Sequence, residues 1–329
     1  MSSFETVVVI VVIALAFDFS NGWHDAANSM ATIVSTGVLS PATAVIWAAF
    51  WNFIAAFVFG TAVAGTVGKG MVRLELVNGR VLMAGLLGAI LWNALTLLLG
   101  LPTSSSHALM GGYGGAAIAC AGFRAITVSG WVKPILFIFL APFIGTFTAI
   151  VVTIITNWIV HKSSPSKVDR WFRRFQLVSA AGYSLGHGTN DAQKTMGIIT
   201  AALVSGGLLA TYSVPFWVIL ICHIAMGCGT MAGGWRVVRT MGQRITKLTP
   251  FGGFAAETAG ALTLMGTAHF GIPVSTTHTI TGGIVGVGAS RRLTAVRWGV
   301  TRRIAWAWFL TIPGAAAIGS CIYYLLNAW

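Results

Sequence analysis

The sequence predicts an all-α integral membrane protein made of two inverted repeats, with broken helices and Ser/Thr-rich helical hairpins. Of its 329 residues, 56% are hydrophobic and only 8% are charged. A soluble domain carries roughly 25% charged residues, so a soluble fold of this length would lack polar residues for its surface. Most apolar runs are of helical length and show no strand alternation, which argues against a membrane β-barrel. Two motifs also occur twice, in the same order.

The repeated motifs indicate an internal duplication. They are SNGWHDAANSMAT at 20–32 with its counterpart GHGTNDAQKTMGI at 186–198, and LPTSSSHALMGGYGG at 101–115 with its counterpart IPVSTTHTITGGIVG at 272–286. The first alignment pairs Asp25 with Asp191. The spacing between copies is nearly the same for both motifs, as expected when one half of a transporter-like chain repeats the other.

The duplication predicts three parts along the chain. We expect an N-terminal membrane repeat at 1–160 and a C-terminal inverted membrane repeat at 175–329. Between them, HKSSPSKVDRWFRR at 161–174 is the one clearly hydrophilic stretch, and we expect it to be a basic cytoplasmic linker.

The basic residues predict an orientation in the membrane. The formal net charge is +13. In a soluble protein it would suggest nucleic acid, but these residues lie in short gaps between apolar runs. With five crossings per half, the loops at 159–174, 235–250 and 290–303 share a side and hold fourteen Lys and Arg, against five in those at 66–80 and 121–133. The positive-inside rule then places both termini outside. An odd number of crossings makes the halves inverted, and no nucleic-acid partner is expected.

Four acidic residues lie in apolar surroundings, namely Asp18, Asp25, Asp191 and Glu257. A carboxylate at bilayer depth costs several kcal/mol unless it is paired or hydrated, so each is a functional candidate. For Asp18 and Glu257 a position near a helix end, reaching water, is the alternative. The matched motifs around Asp25 and Asp191 favour function there.

Turn residues beside the two aspartates predict helix breaks. Asn21-Gly22 and His187-Gly188 are the turn signals. A broken helix exposes N–H groups that bind anions and carbonyl groups that bind cations. Asp25 and Asp191 would then coordinate Na⁺ or accept a proton. Lys194 either pairs with Asp191 or contacts an anion directly.

Two hydroxyl clusters, each starting two residues after a proline, are candidate oxyanion sites. They are Ser104, Ser105 and Ser106, and Ser275, Thr276 and Thr277. Hydroxyl and backbone N–H groups donate to oxyanions, although hydroxyls in membrane helices also join neighbouring helices. Histidines accompany both motifs, including His24, His107, His187 and His278. They either titrate near neutral pH or are neutral and bonded to backbone carbonyls.

These motifs resemble the paired signatures of the inorganic phosphate transporter (PiT) family. The resemblance rests on NGWHDAAN at 21–28, HGTNDAQKTMGIIT at 187–200 and the P-x-S-[ST]-[ST]-H segments at 102–107 and 273–278. It covers essentially the whole chain and is strongest to the short bacterial members. It implies a secondary active transporter of the bacterial inner membrane that imports phosphate with H⁺ or Na⁺, by alternating access and as a homodimer.

The resemblance and the residue chemistry together define the expected site. Substrate is expected at Ser104, Ser105, Ser106, Asn190, Lys194, Ser275, Thr276 and Thr277, and the coupling ion at His24, Asp25, Asn28, Asp191 and Glu257. If the ion is Na⁺, Asp25 and Asp191 are its expected ligands. The first copy reads His24-Asp25 where the second reads Asn190-Asp191, which favours protons over Na⁺.

Several alternatives stay open at this point. Sulfate or another oxyanion is a second candidate substrate, and a passive anion channel is a different mechanism. An intramembrane hydrolase is disfavoured because the chain has no G-x-S-x-G motif and both clusters are duplicated. No cofactor is expected. The four cysteines form no C-x-x-C pair and are interpreted as small core residues.

Overall fold

A computed structural model describes residues 3–58, 60–76 and 78–328, and within these ranges the regular structure is helical apart from one isolated bridge between Val72 and Ile126. The helices are α1 Ser3–Ser35, α2 Pro41–Ile54, α3 Ala62–Gly70, α4 Gly79–Leu99, α5 Ser105–Ala121, α6 Val128–Val160, α7 Pro165–Ser205, α8 Phe216–Ala232, α9 Trp235–Arg239, α10 Pro250–His269, α11 Thr276–Arg291 and α12 Trp298–Asn327. The predicted all-α class is confirmed.

The helices suit a multi-pass membrane protein. In the described ranges, four of them (α1, α4, α6 and α12) are long and apolar enough to cross a membrane, and six spans result if two bent pairs count as one span each. The bent pairs are α2 with α3, at 88°, and α8 with α9, at 64°. On α6, Phe143, Phe147 and Trp158 are about 70% exposed, as expected of side chains facing lipid.

The two halves of the chain have the same order of elements. Each has a long helix, a bent pair, a helical hairpin and a second long helix, so α1 to α6 correspond to α7 to α12. The halves interlock, because α5 packs on α12 while α11 packs on α6. Glycines of the repeated motifs make these contacts close: a Cβ on Gly115 would collide with Ala316 of α12, and one on Gly286 with Thr146 of α6.

Helices α1 and α7 run antiparallel at the centre of the bundle. Near one end, Thr36 Oγ1 donates to Gln176 Oε1 at 2.9 Å. The two motif aspartates meet midway. Farther toward the start of α1, Asp18 lies beside Thr195 of α7. Across these three contacts, residue numbers fall along α1 while they rise along α7, so the two helices are antiparallel.

The two predicted hairpins, α4–α5 and α10–α11, enter from opposite ends of α1. Gly79, at the start of α4, packs against Thr6 near the beginning of α1. Gly242, shortly before α10, packs against Ala31 near the end of α1. The Ser/Thr clusters lie at the turns of these hairpins, so both tips reach the middle of α1 and α7.

The predicted helix breaks at Asp25 and Asp191 are wrong. Helices α1 and α7 continue without interruption through both motifs. Their glycines serve close packing instead: Gly22 touches the backbone of Met226 in α8, and Gly188 touches the backbone of Asn52 in α2. A single glycine inside a helix costs only about 1 kcal/mol, which packing can offset. The actual breaks lie within the two bent pairs.

The predicted linker at 161–174 is mostly helical. Only residues 161–164 lie outside helices, because α7 begins at Pro165 directly after Ser164. Proline is favoured at the first position of a helix, where its missing N–H is not needed. The basic stretch is therefore the exposed first part of α7, in which Arg173 Nε donates to Asp169 Oδ2 at 3.0 Å.

Candidate functional site

The first serine of each hydroxyl cluster caps a helix. Ser104 Oγ accepts from the backbone N–H of His107, and Ser275 Oγ accepts from that of His278, each at 3.2 Å. Caps of this kind satisfy one of the free N–H groups at a helix start. These two hydroxyls, predicted to bind substrate, are therefore used in holding the tips of the hairpins.

The tip of the second hairpin contacts both motif aspartates. Thr276 Oγ1 donates to Asp191 Oδ2 at 3.0 Å, and Thr277 Oγ1 lies 3.5 Å from Asp25 Oδ1. Asn28 Nδ2 donates to Thr277 Oγ1 at 2.9 Å and to Thr276 Oγ1 at 3.3 Å. All five side chains are buried. The predicted residues from distant parts of the chain therefore form one cluster.

Lys194 is held by three oxygen atoms. Its ammonium group donates to Asp191 Oδ1, to Ser106 Oγ and, at 2.9 Å, to the carbonyl oxygen of Val274. A lysine has three N–H donors, and all three are used. Of the two predicted roles, pairing with Asp191 is the one seen here, and Lys194 has no donor left for a substrate in this conformation.

Asp25 has no permanent positive partner within the described part of the chain. Its Oδ1 atom lies 2.8 Å from His24 Nδ1. The other ring nitrogen of His24 lies 3.1 Å from Thr96 Oγ1 and 3.3 Å from Thr103 Oγ1. The two repeat-related aspartates therefore differ: Lys194 pairs with Asp191, while an imidazole rather than a lysine or arginine lies beside Asp25.

Two carboxylates come close enough to share a cation. One ligand atom each from Asp25, His187 and Asp191 lies within 4.8 Å of the others. His187 Nε2 is 3.3 Å from Asp191 Oδ2, and its Nδ1 atom is 3.1 Å from Asn52 Oδ1. Carboxylate oxygens suit small hard cations, so this group fits the predicted place of a coupling ion.

Several buried polar atoms of the same segments have no hydrogen-bond partner in the part of the chain that the structure describes. They are Asn28 Oδ1, Ser105 Oγ, His107 Nδ1, His278 Nε2 and both polar atoms of the Asn190 amide. Most buried polar groups in proteins are bonded, so each exception needs an explanation. Free donors and acceptors on the hairpin tips and on α1 and α7 are what a polar ligand requires.

His107 and His278 bring the two hairpin tips into contact. Their rings are perpendicular, with centroids 4.8 Å apart. His278 also stacks on Trp308 at 3.8 Å, and its Nδ1 atom lies 3.3 Å from the Ile138 carbonyl oxygen. The neutral, backbone-bonded interpretation therefore suits His278. These rings close the space between the tips.

Glu257 lies apart from the central cluster. Gln176 Nε2 donates to one of its oxygens at 2.8 Å, and Ser179 Oγ donates to the other at 2.5 Å. On α7, Gln176 precedes Asp191 by about four helical turns, which corresponds to roughly 20 Å along the axis. The structure therefore does not join Glu257 to the other predicted coupling-ion residues.

Three contact groups of His24 and Lys194 were not predicted. Thr96 on α4 lies in an uninterrupted apolar run without a motif, so no local signal marks it. Thr103 lies inside the first Ser/Thr motif, where its hydroxyl type was a usable signal. The carbonyl oxygen of Val274 is a backbone group, which sequence patterns do not distinguish.

Comparison with known proteins decides the family. The sequence profile described as the Phosphate transporter family matches residues 21–168 and 160–319. The chain belongs to the phosphate transporter family. A Rhizobium meliloti relative described as "Probable low-affinity inorganic phosphate transporter" is 52% identical, over 98% of this chain and 97% of the relative. A Bacillus subtilis relative with the same description is 45% identical, over 97% of each chain.

A solved structure of a phosphate transporter has the same fold. The protein described as "The sodium-dependent phosphate transporter" superposes with a TM-score of 0.88, covering 98% of this chain and 99% of its own, at 24% identity. The resemblance stated from the motifs is thus confirmed, and the chain is a multi-pass membrane protein of a transporter family. Its relatives are transporters rather than enzymes, which removes the hydrolase alternative.

Proposed function

We propose that this phosphate transporter family member imports inorganic phosphate by symport with H⁺ or Na⁺, through alternating access. The observation that carries the proposal is the buried contact of the second hairpin tip with Asp25 and Asp191, to which Lys194 joins Ser106 of the first tip. It brings together hydrogen-bond donors that can bind an anion and carboxylate oxygens that can bind a cation. The relatives whose descriptions name inorganic phosphate supply the substrate.

The hairpin tips supply the donors for phosphate. Helices α5 and α11 begin there, and the start of a helix attracts anions through its free N–H groups and dipole. The hydroxyl of Ser105 is unpartnered and can donate to a phosphate oxygen. Those of Ser106, Thr276 and Thr277 can do so after exchanging a partner.

A neighbouring carboxylate favours phosphate over sulfate. Near neutral pH phosphate keeps a proton that it can donate, whereas sulfate has none. The carboxylate of Asp25 accepts such a bond without displacing a permanent ion pair, and Asn28 Oδ1 is a second free acceptor. Sulfate therefore remains the second candidate substrate.

The coupling cation is expected at Asp25. At Asp191, the ammonium group of Lys194 is already bound by a carboxylate, a hydroxyl and a carbonyl oxygen. This side chain therefore takes the place that a free cation would otherwise fill. The position that matches Lys194 in the first repeat is Asn28, which is neutral. A mobile cation must therefore supply at Asp25 the charge that Lys194 supplies at Asp191.

The packing supports alternating access between inverted halves. Helices α1 and α7 are antiparallel, and the hairpins enter from opposite ends of α1. Asp25 and Asp191 are 2% and 0% exposed, so movement of a hairpin must open the site toward either side. We also propose that the protein lies in the bacterial inner membrane as a homodimer. Its basic loops would face the cytoplasm and both termini would lie outside.

Uptake into proteoliposomes tests the proposal. Radiolabelled phosphate is offered with Na⁺ and pH gradients imposed separately and with sulfate as competitor. We expect accumulation above the external concentration only with an inward cation gradient. Simple equilibration would instead indicate a channel, and full competition by equimolar sulfate would indicate a general oxyanion permease.

A further inference from the structure

Asp18 is a buried carboxyl group outside the site described above. It lies on α1, seven residues before Asp25 and therefore on the same face, about 10 Å along the axis. Its side chain is 0% exposed. Fifteen residues of helix α1 precede Asp18. The alternative prediction, that Asp18 lies near a helix end and reaches water, is therefore wrong.

Oxygen atoms without partners surround Asp18. Thr195 of α7, Asn21 of α1 and Cys222 of α8 lie beside its carboxyl group. None makes a hydrogen bond of good geometry to either Asp18 oxygen, and Asn21 Oδ1 and Thr195 Oγ1 are also unpartnered. Buried polar atoms are usually bonded, so unpaired oxygens at one buried place fit a ligand that the protein does not supply.

No positive side chain forms an ion pair with Asp18 in the described ranges. Asp191 lies close enough to act on it electrostatically and repels a negative charge there. The lysine of this region, Lys194, is already bonded to Asp191. An unpaired buried carboxylate is costly, so Asp18 needs a cation from outside the protein.

We propose that Asp18 is a second coupling-cation site, which rests on the symport proposed above. A monovalent cation, H⁺ or Na⁺, binds the Asp18 carboxylate beside Asn21 Oδ1 and Thr195 Oγ1. Because Asp18 and Asp25 share a face of α1, one cation occupies each when phosphate is bound. The repeat-related position in α7 is Ser184, so this site has no counterpart in the second half.

The Asp18→Asn variant tests this site, since it keeps the shape of the side chain and removes its charge. Two proteoliposome assays are compared: exchange of phosphate at equal concentrations on both sides, and accumulation driven by a Na⁺ or a pH gradient. We expect exchange within about twofold of the wild type and accumulation at least about tenfold lower. The gradient that loses its effect identifies the cation.

Two further variants make the result specific. Asp18→Glu keeps the carboxylate and is expected to restore accumulation to within about threefold. Asp169→Asn removes an exposed acid that pairs with Arg173, and should change neither assay. Thermal unfolding in detergent confirms that each variant is folded.

Clear outcomes would overturn the proposal. Normal accumulation in folded Asp18→Asn, with the same number of cations per phosphate, would show that no cation binds there. Loss of exchange together with accumulation would indicate a structural role. If the wild type itself accumulated no phosphate under either gradient, the symport would fail as well.

Discussion

Lys194 and Asp191, one turn apart on α7, form an ion pair that is buried where the two hairpin tips meet. The pair also reaches Ser106 of the first hairpin and Thr276 of the second. The pair therefore links α7 to the tips of both hairpins. Its repeat-related counterpart, Asp25 with Asn28, lacks the fixed positive charge.

Replacing Lys194 should make transport depend on an added cation. In Lys194→Asn, Asp191 loses its counter-charge, so we expect uptake at least about tenfold lower and partial recovery at high Na⁺ or low pH. Breaking a buried ion pair costs about 3–5 kcal/mol, so thermal stability should fall as well. Phosphate uptake and thermal unfolding measure the two effects.

Two controls make the Lys194 result interpretable. Lys162→Asn changes an exposed lysine between α6 and α7 and should be silent. The double variant Lys194→Asn/Asp191→Asn removes both charges and should regain much of the lost stability. A double variant as unstable as the single one would contradict the ion-pair explanation.

Replacing either motif aspartate should abolish coupled transport, but only one of the two replacements should lower the stability of the protein. Asp25→Asn and Asp191→Asn are each expected to abolish coupled uptake. Only Asp191→Asn leaves a buried lysine unpaired, so only that variant should unfold at a clearly lower temperature. Near-normal uptake by either variant would refute the central site.

Neighbouring serines at the first hairpin tip should show separate effects. Ser104 caps α5, so Ser104→Ala should lose about 1 kcal/mol of stability. Ser105 Oγ has no hydrogen-bond partner among the described residues, so Ser105→Ala should keep its stability and raise the KM for phosphate. Thermal unfolding and uptake at varied phosphate concentration distinguish them, and a stable Ser105→Ala with unchanged KM would exclude that hydroxyl from the site.

Two glycines of α7 provide a matched test of close packing. A Cβ at Gly188 would overlap the backbone of Asn52, whereas one at Gly182 would meet Ala261 at an ordinary 3.8 Å. Gly188→Ala should therefore lower thermal stability, while Gly182→Ala should be neutral or gain up to about 1 kcal/mol. Equal stability of the two variants would favour a flexible turn at Gly188 instead.

The sequence allowed the duplication, the hairpins and most of the central cluster to be predicted, because repeated motifs identify residues that share an environment. The helix breaks were mispredicted because glycine marks both turns and close helix contacts, and only the packing partner distinguishes them. Glu257 was grouped with Asp25 and Asp191 only because it is an acidic residue in apolar surroundings. Its distance from them depends on the register of α10 against α7, which no single segment encodes.

The antiparallel pairing of α1 and α7 also has an electrical consequence. It separates the acidic groups into levels along α1, with Glu257 near the end of this helix, Asp18 near its middle and Asp25 between them. A cation that reaches a site halfway through the membrane has crossed about half of the transmembrane voltage, worth about 1.2 kcal/mol per 100 mV. Occupancy of Asp25 by a cation that enters from the positive side would therefore rise with membrane potential, whereas the phosphate anion that enters from the same side meets the opposite effect.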